Sequence, residues 1–112
     1  MYGDDSVTIH QGSDWLAEAT FTDVATGAPA DLTGYTAKAQ IRRKYADSEP
    51  VVAAEIEVEF ALPDRVLLSL GHDATETLNG RYVWDLDLIS PDGVISTPLA
   101  GPVIVTPEVT RV

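Results

Sequence analysis

The chain has 112 residues, no cysteine, and eighteen acidic against seven basic side chains, for a formal charge of −11. That length fits one domain with a core of its own. The missing cysteine excludes disulfides and thiolate metal sites, and the charge repels phosphate backbones, which argues against nucleic-acid binding. No apolar run approaches the ~20 residues of a membrane-spanning helix. Met1-Tyr2-Gly3-Asp4-Asp5 lacks the basic and apolar regions of a signal peptide, so a soluble chain made in the cytoplasm is expected.

Val7 to His10 is a short stretch able to open a sheet edge, and Gln11-Gly12-Ser13-Asp14 reads as a turn. Trp15 to Thr22 then alternates, with Trp15, Ala17, Ala19 and Phe21 on one face. A helix competes over Asp14 to Thr20, since Asp14 can cap and alanine favours it. The aromatics at period two decide for a strand, and the small alanines between them suggest close contact with a facing sheet. Thr22 to Gly34 is a loop rich in turn formers. Tyr35, Ala37, Ala39 and Ile41 form the inward row of the next strand, which ends at Arg42. Val52 to Phe60 alternates cleanly against Glu55, Glu57 and Glu59, and Leu62-Pro63-Asp64-Arg65 turns it into Val66, Leu68 and Leu70 as a hairpin.

Asp73-Ala74-Thr75-Glu76 matches a capping box with Asp73 as N-cap, and Leu78-Asn79-Gly80 ends that short helix. Gly80 to Ile89 follows as the central core strand, with Tyr82, Trp84, Leu86 and Leu88 inward. Pro91-Asp92-Gly93 turns the chain into the last strand. Pro98 and Pro102 interrupt that strand, so an edge position or a bulge near Gly101 is expected. The sum is one domain over residues 1–112. It is an immunoglobulin-like antiparallel β-sandwich of six to eight strands with one short helical turn and brief arms at Met1–Ser6 and Thr106–Val112. Trp15, Phe21, Ile41, Ile56, Phe60, Leu68, Tyr82, Trp84 and Leu86 are the expected core.

Residues that could carry chemistry are few. His10 and His72 lie in or beside turns without metal-ligand spacing, and Asp85 and Asp87 share what reads as a solvated strand face. No nucleophile elbow, catalytic triad spacing or phosphate loop occurs. No catalytic, cofactor-binding or metal-binding residue is therefore assigned, and an enzyme is not expected. Lys38, Arg42, Arg43 and Lys44 gather four of the seven basic residues. They can dock onto an acidic neighbour or face the Glu55, Glu57 and Glu59 row across a strand pair.

Several stretches together resemble β-sandwich proteins of tailed-bacteriophage virions, in particular the N-terminal domain of baseplate upper proteins. They are Gln11-Gly12-Ser13-Asp14-Trp15, Ala25 to Arg42 with its Gly27-Ala28-Pro29-Ala30-Asp31-Leu32-Thr33-Gly34 turn, Thr77 to Leu86, and Ser90-Pro91-Asp92-Gly93. The turn also makes sense by itself: Asp31 and Thr33 can bond to the backbone, and Gly34 can take a left-handed conformation. The resemblance implies a structural role in the virion, in a many-copy assembly. Partners would be other virion proteins and copies of itself, without nucleic acid, membrane, small-molecule substrate or cofactor. Baseplate upper proteins continue into fibre-like regions and this sequence stops at Val112, which points to a subunit of tail, baseplate, neck or capsid surface. A capsid decoration protein and an immunoglobulin-like carbohydrate- or receptor-binding module are the alternatives. A sugar site would need exposed aromatics, and only Tyr2 and Tyr45 fall clearly outside the inward rows. Assembly contacts are expected at Lys38, Arg42, Arg43, Lys44, Val103, Val105, Val109 and Arg111.

Overall fold

The computed structural model describes residues 5–44 and 52–109. They form β1 (Val7–His10), β2 (Trp15–Thr20), β3 (Thr36–Arg42), β4 (Ala54–Ala61), β5 (Arg65–Leu70), a helical turn α1 (His72–Thr75), β6 (Gly80–Ile89) and β7 (Ile95–Thr106). Strands neighbour one another in the order β1-β7-β6-β3-β4-β5-β2. β4 serves both layers: Ala54 to Ile56 pair with β3, whereas Glu57 to Ala61 pair with β5. One layer is therefore β1-β7-β6-β3 with the start of β4, and the other is the end of β4 with β5 and β2. All pairings are antiparallel except β1 with β7, which is parallel. The chain folds as an immunoglobulin-like β-sandwich.

The inward rows of both layers meet in one core. Ile41, Ile56, Val66, Leu68, Leu70, Tyr82, Trp84, Leu86 and Leu88 are buried in it, as the alternation of each strand requires. Trp15, Phe21 and Phe60, expected in the core, are half-buried and pack against its rim. Ile9, Leu32, Leu78, Val103 and Val105 complete the core. Leu32 reaches it from a loop. Asp31 accepts the Thr33 amide at 3.0 Å, Tyr35 N–H donates to the Leu32 carbonyl at 3.1 Å, and Gly34 sits at φ +82°, so the turn presses Leu32 inward. Near the start of β6 the Asn79 amide donates to the Tyr82 hydroxyl at 2.9 Å. This is the tyrosine-corner device of immunoglobulin-like sandwiches, which fixes the chain's entry to the strand.

Two expectations are corrected. α1 starts after Gly71, and no side chain of its own caps it. Asp14, from the β1–β2 turn, accepts the His72 amide at 2.7 Å and so does a cap's work from across the fold. β7 is also not simply an edge. It pairs with β6 along its length, and from Val103 to Thr106 it pairs with β1 as well. Its register shift lies between the Leu86–Leu99 and Leu88–Ser96 pairs, so the irregularity is at Thr97 and Pro98 rather than at Gly101. Gly101 has a different job. A Cβ there would lie 2.5 Å from the Asp5 carbonyl oxygen, so only glycine lets the incoming chain cross β7 this closely.

Candidate functional site

The basic cluster splits according to the pleat of β3. Lys38 and Arg42 lie on the outer face, where their strand partners on β6 are Asp87 and Val83. Arg42 donates to Gln40 Oε1 at 2.8 and 3.3 Å, and Gln40 Nε2 donates to Glu55 Oε1 at 2.8 Å. Arg43 instead stacks over the Tyr82 ring, 4.1 Å from its centroid, and donates to the Arg81 carbonyl at 3.0 Å. Lys44 is exposed just beyond β3. The acids facing this row are chiefly Asp85 and Asp87. Of the expected glutamates only Glu55 reaches β3, because Glu57 and Glu59 belong to the other layer. Asp85 is half-buried, and burial first, then the neighbouring Asp87 charge, raise its pKa, with Arg42 opposing.

The remaining expected contacts fare differently. Val103 and Val105 are buried core residues, 1 % and 5 % exposed, and cannot present side chains to a partner. Val109 is 95 % exposed, and Arg111 lies outside the described residues. The arms are also more firmly tied than their sequence suggests. Trp84 Nε1 donates to the Asp5 carbonyl at 2.7 Å, and Asp5 N–H donates to the Ala100 carbonyl at 3.2 Å. At the other end Glu108 N–H donates to Gln11 Oε1 at 3.1 Å. Gln11 in turn donates to the Leu78 carbonyl at 2.9 Å, and Thr75 Oγ1 donates to the Ser13 carbonyl at 2.8 Å. The β1–β2 turn is thus pinned to α1 and to the end of β7.

The two histidines stay apart. His10 Nδ1 lies 2.8 Å from Thr106 Oγ1, whereas His72 Nδ1 lies 3.0 Å from Asp14 Oδ1. The hydrogen bond to Asp14, then the charges of Asp73 and Asp14, raise the His72 pKa. The His72 amide and imidazole together lower that of Asp14. Among the described residues no group of three or more His, Asp or Glu is placed to hold a metal ion.

The feature with most to offer a partner is β2, which sequence reading passed over. It ends its layer, with β5 on one side and no strand on the other among the described residues. The Phe21 amide donates to Asp64, one step beyond the Thr20–Arg65 pair. By the alternation of an antiparallel ladder, the main-chain groups of Leu16, Glu18 and Thr20 then point away from β5 toward the free side. Beside that edge lies a cleft of about 470 Å³ between the layers. Residues of the Trp15 to Phe21 stretch line one side of it, and Asp5 to Val7, Trp84, Pro98 and Leu99 line the other. On the outer face of the same layer Leu16 is 78 % exposed, and Leu67 sits between Glu18 and Glu59. The signal in the sequence was Leu16, an apolar residue in the polar row of an alternating strand.

No family model matches the sequence, and no curated protein matches it either. Solved structures match in fold. CopC from Methylosinus trichosporium OB3b superposes with a TM-score of 0.50 at 18 % identity, over 95 % of this chain and 90 % of that one. The ZIG-8–RIG-5 IG1–IG1 heterodimer gives 0.45 at 9 % identity, over 93 % of this chain and 83 % of that one. The CopC likeness is one of fold, in keeping with the sandwich described above.

Proposed function

We propose that this domain is a virion assembly module of a tailed phage, in tail, baseplate, neck or capsid surface, acting by protein–protein contact in many copies. The observation that carries the reading is the edge of β2, which has no neighbour on its outer side among the described residues. Its outward main-chain donors and acceptors lie beside a half-covered apolar row and the exposed Leu16. A free edge of this kind is a template for pairing with another chain. The sequence resemblance to the N-terminal domain of baseplate upper proteins supports the same reading. A carbohydrate-binding module would offer aromatic platforms to solvent. Here Trp15, Phe21, Tyr35, Phe60, Tyr82 and Trp84 are buried or half-buried against the core, and Tyr2 and Tyr45 lie outside the described residues. The assembly reading is therefore preferred.

The test is composition of the particle. Mass spectrometry of purified virions made by the phage that encodes this chain should find it in many copies, and electron microscopy should place it against neighbouring proteins. Its absence from purified particles would remove the reading.

A further inference from the structure

We propose that β2 is a strand-addition site, whose occupant is an extended segment of a neighbouring protein that alternates apolar residues with lysine or arginine. The inference rests on the assembly reading for its biological setting but not for its chemistry. Three features of the edge specify the occupant. The outward main-chain groups of Leu16, Glu18 and Thr20 call for an extended backbone, which would bond to them as the next strand of the β2-β5-β4 layer. Because side chains of a strand alternate, one face of the incoming segment would point into the cleft beside Trp15, Ala17, Ala19 and Phe21. That face needs apolar residues of moderate size, since the two alanines leave the room that Trp15 and Phe21 bound.

Charge specifies the other face. The outer surface of this layer carries Glu18, Glu57 and Glu59, and Arg65 at 3.5 Å from Glu18 is the basic residue paired within it. A strand laid along β2 would put its outer side chains next to Leu16, Glu18 and Thr20. A lysine or arginine there meets Glu18 with its charge and covers Leu16 with its stem. The same acidity argues against a second copy as occupant. Pairing β2 with β2 of another molecule brings two such faces together, each on a chain of formal charge −11. The edge thus selects a basic, alternating strand over its own copy.

The probe is an eight-residue peptide of alternating valine and lysine, titrated into the isotopically labelled full chain. The amide signals of Leu16, Glu18 and Thr20 should shift most. A valine–glutamate peptide of the same length should bind at least about tenfold more weakly. Glu18→Pro removes one outward donor without touching the ladder to β5, because that amide faces the free side. It should weaken the valine–lysine peptide by at least about tenfold while leaving the rest of the spectrum folded. Glu18→Lys serves if the proline variant does not fold, and should narrow or invert the preference between the two peptides.

Equal affinity for the two peptides, or shifts away from β2, would overturn the proposal. So would concentration-dependent dimerisation of the parent chain that Glu18→Pro abolishes, since a second copy would then be the occupant. Peptide binding that arises only after Met1 to Asp4 are removed would assign the edge to the chain's own first residues, and would overturn it too. Peptide binding by a chain missing from virions leaves the site standing and removes the assembly reading. A chain that enters virions but ignores the peptide does the reverse.

Discussion

β6 and β2 are written in the same code. Each alternates, each begins its inward row with an aromatic, and each has polar residues between. In β6 the inward Tyr82, Trp84, Leu86 and Leu88 are all buried, whereas in β2 Trp15, Ala17 and Ala19 are all half-buried. The difference lies in the neighbours. β6 has β3 on one side and β7 on the other, while β2 has β5 alone among the described residues. Alternation fixes which face of a strand meets the core. It says nothing about what lies beside the strand, and at β2 the missing neighbour leaves the inward row half open to water, whereas Ile9 of β1, the other terminal strand, is fully buried.

The sharpest way to break the comparison is to truncate the two tryptophans. Trp84→Ala should cost about 3–5 kcal/mol by urea unfolding, because it empties a buried site and leaves the Asp5 carbonyl without its indole donor. Trp15→Ala should cost about half as much, since its side chain is only half-buried. Equal losses would mean that β2 is covered in solution as fully as β6.

Gly101→Ala probes what closes the β6 side. The added Cβ would meet the Asp5 backbone, so the first described residues would have to leave β7 and release Trp84 Nε1. A loss of about 1–3 kcal/mol is expected, the range for inserting a carbon into a packed contact. Removing Met1 to Ser6 should fall in a similar range, because it takes away the Asp5 backbone that holds Trp84. An alanine variant as stable as the parent would show that Asp5 does not hold Trp84.

Much of the fold was legible because strands, turns and the inward rows are local properties. Asp31, Thr33 and Gly34 announced their turn, and Pro91-Asp92-Gly93 announced another. Non-local facts were out of reach. The capping box around Asp73 was the best local reading, yet Asp14, fifty-eight positions before His72, takes that role in the structure. Val103 and Val105 read as edge residues because the prolines beside them suggested an edge. Only the pairing of β1 to their other side shows them to be core. The basic cluster was visible as a run, but the pleat of β3 sends Arg43 to Tyr82 and the rest to the outer face. The candidate site itself was legible only in Leu16, because an unpaired edge is a statement about strand order.

The Asp14–His72 contact anchors the residue just before β2 to α1, and its pH dependence sharpens how that strand is held. The His72 pKa is raised above its ordinary 6.5, so its contribution is complete below that value and is lost as pH rises through the folded-state pKa. The Asp14 pKa is lowered below 3.8, so its contribution is complete above 3.8 and is lost as pH falls through the folded-state pKa. The pair therefore helps most between pH 3.8 and 6.5. Both side chains are largely exposed, so the effect on melting should be small. Asp14→Asn should flatten the decline of stability from pH 6 to 8 relative to the parent. An unchanged slope in that range would show that His72 titrates without Asp14.

The smallest expected effect separates the outer faces of the two strands. On β2, Glu18 is exposed beside Arg65. On β6, Asp85 is half-buried, next to Asp87, and its pKa is raised mainly by lost hydration. A carboxyl with a raised folded-state pKa binds its proton more tightly in the native chain, so its ionisation weakens the fold as pH rises through that pKa. Asp85→Asn removes this cost and keeps a polar group opposite Gln40 in the ladder. Melting at pH 7 should rise by about 1–3 °C, and the gain should vanish near pH 3, where the carboxyl is protonated in both states. Glu18→Gln should show no such gain, because Glu18 stays hydrated and loses its partner Arg65. If Asp85→Asn instead lowers the melting point at pH 7, the attraction of Arg42 outweighs both burial and Asp87, and the outer face of β6 is an ion-paired surface rather than an acid held against its preference.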